Sequence, residues 1–162
     1  MPSRDLDTTT HRRLPDGLRD ARPAGPTRTL GRIGLGLFLT AAGTSHLTIY
    51  RQAFRAQVPT WLPLDLDFVV VASGIVEVTL GLALIVLYRL RVPVGWLVAL
   101  FFLAIFPGNV SQFATGTDSF GLNSDAARGI RLLFQPLLVV WALWSTGAFR
   151  AWRSGRRSAE RP

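Results

Sequence analysis

Apolar residues in this chain are gathered into four blocks, not spread at the intervals of a soluble amphipathic helix or strand. The blocks run from Leu30 to Tyr50, Phe68 to Tyr88, Val92 to Phe113 and Arg128 to Phe149. Each holds roughly twenty residues, the length a helix needs to cross the hydrocarbon core of a bilayer. The pattern predicts an all-α, integral membrane four-helix bundle over residues 30–149, with helices at about 30–50, 68–88, 92–113 and 128–149. Residues 1–29 interleave Pro2, Pro15, Pro23 and Pro26 with arginine, aspartate and threonine and hold almost no large apolar residue, which predicts a disordered basic tail. Residues 150–162 form a second basic tail. The first block follows arginines and contains Thr40-Ala41-Ala42 before Gly43, as a signal peptide would. The basic stretch before it is long for such a leader, so the block is read as a span.

The polar positions inside the blocks are the next signal. Glu77 stands in the run FVVVASGIVEVTLGLALIVLY, where a carboxylate carries an insertion penalty of about 2.5 to 3.5 kcal/mol and is by default a site residue. Ser73, Glu77 and Gly81 recur every four residues and share a stripe with Gly74 beside it. Gly36, Thr40 and Thr44 make a similar stripe in the first block, the small-residue spacing that lets helices approach closely. Pro107 and Pro136 fall inside the third and fourth blocks, where each removes a backbone donor. The helices should kink there and free the carbonyls of Leu103 and Leu132 toward an interior or a wet cavity. Between the first two blocks, Phe54, Val58, Trp61 and Leu62 surround Pro59 and Pro63, which predicts a short helical turn and an extended stretch lying on the surface.

Charge sets an orientation. All 18 basic residues are arginine. Fourteen flank the same side of the predicted bundle, in the first tail, between the second and third blocks and in the last tail. Only Arg51, Arg55, Arg128 and Arg131 lie on the other. The positive-inside rule then places both termini in the cytoplasm (N-in/C-in) of a multi-pass protein of the inner (plasma) membrane. Nothing in this distribution points to nucleic acid.

With that topology, the helical rise places His46 about 6 Å from the outer ends of the spans, Glu77 about 13 Å, Asn109 about 6 Å, Arg131 about 5 Å and Gln135 about 11 Å. All five fall in the outer half. A bundle can bring Glu77, His46 and Arg131 within reach of one another. Whether Glu77 pairs with Arg131, or meets Gln135, Asn109 or a carbonyl, is open in the sequence. So is whether the layer is a ligand site or only fixes helix register.

The chain has no cysteine, which excludes iron-sulfur clusters, thiolate metal sites and covalently attached haem. No metal-ligand cluster, phosphate loop or nucleophile-base pair of recognisable spacing occurs, so catalysis by the chain alone is not expected.

Gly43-Thr44-Ser45-His46, Pro59, Trp61-Leu62-Pro63, Ser73-Gly74-Ile75-Val76-Glu77, Phe106-Pro107-Gly108-Asn109, Arg131 and Gln135, taken in order and spacing, resemble the DoxX-like family of small four-helix membrane proteins. The resemblance runs from about residue 30 to 148. It implies a setting of quinone-linked redox chemistry or oxidative stress and no agreed catalytic residue. The expected function is a polar outer-half pocket for a quinone or lipid-like small molecule. The alternative is a non-enzymatic accessory or assembly subunit of a membrane redox complex. Expected partners are the lipid bilayer, a membrane redox protein and further copies of the chain.

Overall fold

The computed structural model describes residues 24–55, 57–116 and 124–160, and among these every regular element is helical. The elements are α1 (Pro26–Leu47), a short α2 (Arg51–Arg55), α3 (Leu66–Val86), a 3-10 turn at Tyr88–Leu90, α4 (Arg91–Thr115), α5 (Asp125–Thr146) and α6 (Ala148–Ala159). The disordered tail expected over residues 1–29 lies outside the described residues up to position 23, and its last four positions already belong to α1.

Local chemistry sets the helix ends. Pro26 opens α1, where its missing N–H is no loss. Asp65 caps α3 by accepting from the Phe68 N–H at 2.8 Å, and Ser124 caps α5 by accepting from the Ala127 N–H at 3.2 Å. Gly116 and Gly147 end α4 and α5 with φ of 64° and 81°, the left-handed conformation that glycine adopts without a steric penalty. The turn at Gly147 starts α6, so the last basic segment is a helix. It buries Ala148 and Ala151 against Val92, Ala99 and Leu143 and exposes Trp152, Arg153, Arg156 and Arg157.

Three helical segments are long and apolar enough to cross a membrane: Leu66–Val86, Tyr88–Thr115 and Ala126–Thr146. They expose large apolar side chains such as Ile75, Leu82, Leu100, Leu133 and Leu137, a surface that suits hydrocarbon and not water. The chain is therefore a membrane protein. At 22 residues α1 has the length of a span, but Arg28, Arg32, its glycines and its hydroxyl residues make it less apolar.

Those small residues serve a close interface between α1 and α3. A Cβ at Gly43 would lie 2.6 Å from the Gly74 carbonyl oxygen, and one at Gly81 2.6 Å from that of Gly36. Only glycine permits these approaches. Gly43, and not the expected Thr44, continues the stripe from Gly36 and Thr40. Thr44 is exposed and its hydroxyl returns to the Thr40 carbonyl of its own helix, because a helix of 3.6 residues per turn drifts off a strict four-residue spacing.

A second close pair is α4 with α5, and the two pairs meet firmly at the α6 end of the bundle. There a Cβ at Gly31 would touch the Trp144 ring at 2.9 Å, and the Trp141 indole N–H donates to the Gly31 carbonyl at 2.9 Å. Arg32, only 6% exposed, donates to the Leu84 carbonyl and, at 3.2 Å, to that of Ile85. These are last-turn carbonyls of α3, so the guanidinium supplies donors and a favourable charge where the helix has none of its own. The apolar core of Leu35, Leu39, Leu84, Val98 and Phe102 lies next to this seal.

Candidate functional site

Toward the opposite end, named here the α2 end, the two helix pairs separate around a cavity of about 660 Å³. Its wall is mostly apolar, with Leu39, Val70, Phe102 and Leu138 among the side chains that form it. His46, Glu77, Asn109, Arg131 and Gln135, drawn from four different helices, all line it. The segment after α1 folds over it, contributing Phe54, Gln57, Val58, Pro59, Trp61 and Leu62.

The polar residues are arranged as three pairs. On the α1/α3 side, His46 Nδ1 lies 3.1 Å from Glu77 Oε2, and both residues are nearly buried at 9% and 5% exposure. The same Nδ1 is 2.9 Å from the Ala42 carbonyl oxygen, one turn back in α1. A carbonyl only accepts, so Nδ1 carries the hydrogen and directs it to Ala42. Glu77 Oε2 sits beside that N–H without an aligned hydrogen bond, and it is a buried oxygen that accepts from no described group. The imidazole also stacks on Phe54 of α2, with ring centres 3.3 Å apart and planes 16° from parallel. Glu77 reaches this place because its own Cβ is at the glycine seam, 2.8 Å from where a Cβ on Gly43 would stand.

The second pair joins α4 to α5. Gln135 Nε2 donates to the Phe102 carbonyl at 2.6 Å, which fixes the orientation of its amide. Its Oε1 therefore accepts, from Asn109 Nδ2 at 2.9 Å. The third pair ties α5 to the roof, with Arg131 Nη2 donating to Gln57 Oε1. Gly108 lets the roof come close, since a Cβ there would lie 3.0 Å from the Gln57 carbonyl oxygen. At the roof's edge Arg51 binds Asp67 through both carboxylate oxygens, with Nε to Oδ1 at 2.7 Å, which holds α2 against the start of α3.

The five residues singled out by sequence thus share one cavity, but the partners differ from the simplest pairing. Glu77 lies against His46, and Arg131 is engaged by Gln57 of the roof. Pro107 lines the cavity, whereas Pro136 is exposed on another face of α5 and its neighbour Gln135 is the residue that turns inward. Consecutive helical residues point about 100° apart, so the two cannot share a face. Phe54 and Gln57 were not read as site residues from the sequence. The signal for them was the pairing of prolines with aromatic residues in so short a connection, which marks a segment folded back on the bundle.

Phe38, Ile130 and Phe134 line the cavity and are also exposed on the helix surface, so its apolar wall continues into the apolar exterior of the bundle. Such a site can hold a molecule with an apolar body and a small polar head, and among the described residues no group of three metal-ligating side chains is assembled.

No curated protein and no solved structure matches this chain. A family model described as a domain of unknown function (DUF8561) matches residues 35–146, from the α1 core to the end of α5, and the chain belongs to that family.

Proposed function

We propose that this protein is a four-span, N-in/C-in inner-membrane protein that binds a small amphipathic molecule of the quinone or lipid class in its α2-end cavity. The observation that carries the reading is the convergence of five polar residues, far apart in sequence, on one cavity of about 660 Å³ whose remaining wall is apolar. Polar groups at bilayer depth are expensive unless they are paired or serve a ligand, and here they are concentrated at one end of the bundle. In this reading α1 is the fourth span: its apolar outer face, with Leu37 and Phe38, meets lipid while its small-residue face is spent on α3.

The arginines support the orientation. The α6 end carries Arg28, Arg89, Arg91, Arg150, Arg153, Arg156 and Arg157, the positive-inside signature. The cavity then faces the outer leaflet, and a ligand enters from the bilayer past Phe38 and Phe134. The resemblance to DoxX-like proteins favours a redox setting for that ligand. The test is native mass spectrometry of the full chain extracted from its own membranes. A retained small molecule in the wild type that is lost in Ser73→Phe, which fills the cavity one turn from Glu77, supports the proposal. Equal spectra from both proteins, or no retained molecule together with no response of tryptophan fluorescence to quinones and lipids, contradict it.

A further inference from the structure

The end of the bundle away from the cavity carries chemistry that the proposed function does not use. The turn at Gly147 separates α6 from α5, and the start of α6 buries Ala148 and Ala151 in one cluster with Val92, Ala99 and Leu143. The last helix is thus fastened at the end of a membrane-length segment, Ala126–Thr146, which places it where that segment leaves the hydrocarbon. Its residues divide into three stripes, each with the three-and-four spacing of one helical face. Ala148, Ala151 and Gly155 form the docking stripe, Phe149, Trp152 and Arg156 the second, and Arg150, Arg153 and Arg157 the third. At about 100° per residue, the aromatic stripe lies between the docking stripe and the basic one.

That order suits a bilayer surface. Phe149, Trp152, Arg153, Arg156 and Arg157 are exposed, and Tyr88 and Trp144 expose further rings at the same end. Tryptophan and tyrosine collect at headgroup depth, where the ring body is in apolar surroundings and its polar edge is wet. Arginine lies over three of these rings: Arg156 over Trp152 at 5.3 Å, Arg28 over Trp144 at 5.8 Å and Arg89 over Tyr88 at 5.7 Å. A guanidinium stacked by its face keeps its in-plane N–H fork for phosphate oxygens. Within α6 there is no acidic residue, so the helix brings no carboxylate of its own to those arginines. The aromatic flank, next to apolar spans, favours lipid over a soluble acidic partner.

We infer that α6 is an interfacial helix that binds the headgroups of acidic phospholipids in the leaflet beside it. Phe149 and Trp152 lie at the boundary of headgroup and acyl chain, and Arg153, Arg156 and Arg157 meet the phosphates. A zwitterionic headgroup brings its own cation against these arginines, whereas an acidic one does not. The site is separate from the α2-end cavity and does not rest on that cavity having a ligand.

The experiment places the full chain in nanodiscs of equal parts phosphatidylglycerol and phosphatidylcholine with matched acyl chains, and native mass spectrometry counts the lipids that stay bound. The wild type is expected to retain phosphatidylglycerol at least about five-fold over phosphatidylcholine, the gain from one arginine at a membrane surface. The triple variant Arg153→Gln, Arg156→Gln, Arg157→Gln should fall to within about two-fold of parity. In phosphatidylcholine alone it should melt with the wild type, which shows that it folds. Removing the same charge from the N-terminal tail, by Arg4→Gln, Arg12→Gln and Arg13→Gln, should leave the preference in place. The wild-type preference should also weaken as ammonium acetate is raised, a reading that needs no variant to fold. A preference indifferent to salt, or retained in the α6 variant, overturns the inference. Equal loss in both triple variants overturns the assignment to α6 and leaves net charge as the cause. Parity in the wild type overturns the lipid site, and an acidic protein that co-purifies with the wild type and not with the α6 variant would then be the partner of this face.

Discussion

The α6 half and the α2 half of this bundle are built from the same four long helices and solve opposite problems. In the α6 half, small residues let large ones in: Gly31 receives Trp144, Gly95 receives Thr146, and the Trp141 indole is satisfied by the Gly31 carbonyl. Most buried side chains there are apolar, and Arg32 Nη1 donates to two backbone carbonyls. In the α2 half the helices part, the polar groups sit on a cavity wall, and one carboxylate oxygen has no donor. The comparison teaches that the two halves differ in packing: glycine positions filled by large side chains close the α6 half, and the polar layer of the α2 half borders a cavity. Arg32 in the closed half donates to two carbonyls at the end of α3, while Glu77 in the open half lies beside His46 on the cavity wall.

Substitutions that separate the halves should differ in size. The largest effect is expected for Gly95→Val. A Cβ at this position would lie 2.0 Å from Thr146 Oγ1, so α4 and α5 must move apart, at about 3 kcal/mol in detergent unfolding. If Gly95→Val unfolds like the wild type, the α6 half is not closed as described. Next comes Gln135→Leu, which removes the donor to Phe102 and the acceptor for Asn109; about 2 kcal/mol should be lost, measured by the same unfolding. Arg32→Met keeps the stem and deletes the donors to Leu84 and Ile85. Its expected cost is about 1 kcal/mol, with faster hydrogen exchange confined to the 3-10 turn that follows α3. The smallest effect is expected for Asp67→Asn. Its carboxylate and Arg51 are solvent-exposed, so global stability should be nearly unchanged, with the effect seen as greater mobility of the roof and not of the bundle.

How far the sequence reached follows the same division. Helix positions were legible to within a few residues because membrane length and capping residues are local signals, and His46, Glu77, Asn109, Arg131 and Gln135 were legible because a polar residue in an apolar run has few reasons to be there. Pairing was not. Whether Arg131 would reach Glu77 or something else depends on how the connection after α1 folds, and that connection supplied Gln57, a residue with no pattern of its own. The last helix was missed for a related reason. Its arginine content hides the two alanines, Ala148 and Ala151, three apart, that dock it on α4. Arg32 was counted as one more boundary charge, since nothing before the fold shows that it meets the end of α3.

The account's central claim is that the α2 half is open to a ligand and the α6 half is closed. The chain has no cysteine, so a single introduced thiol reports without background. Ser73→Cys places it on the cavity wall, and Ala142→Cys places it in the sealed core, where the wild-type side chain is 0% exposed. Labelling of both variants by a small maleimide in intact membranes measures access directly, because only a thiol that meets water forms the reactive thiolate. The account predicts modification of Ser73→Cys, slowed by a saturating quinone or lipid that binds the cavity, and none of Ala142→Cys. Equal labelling of the two variants would contradict it.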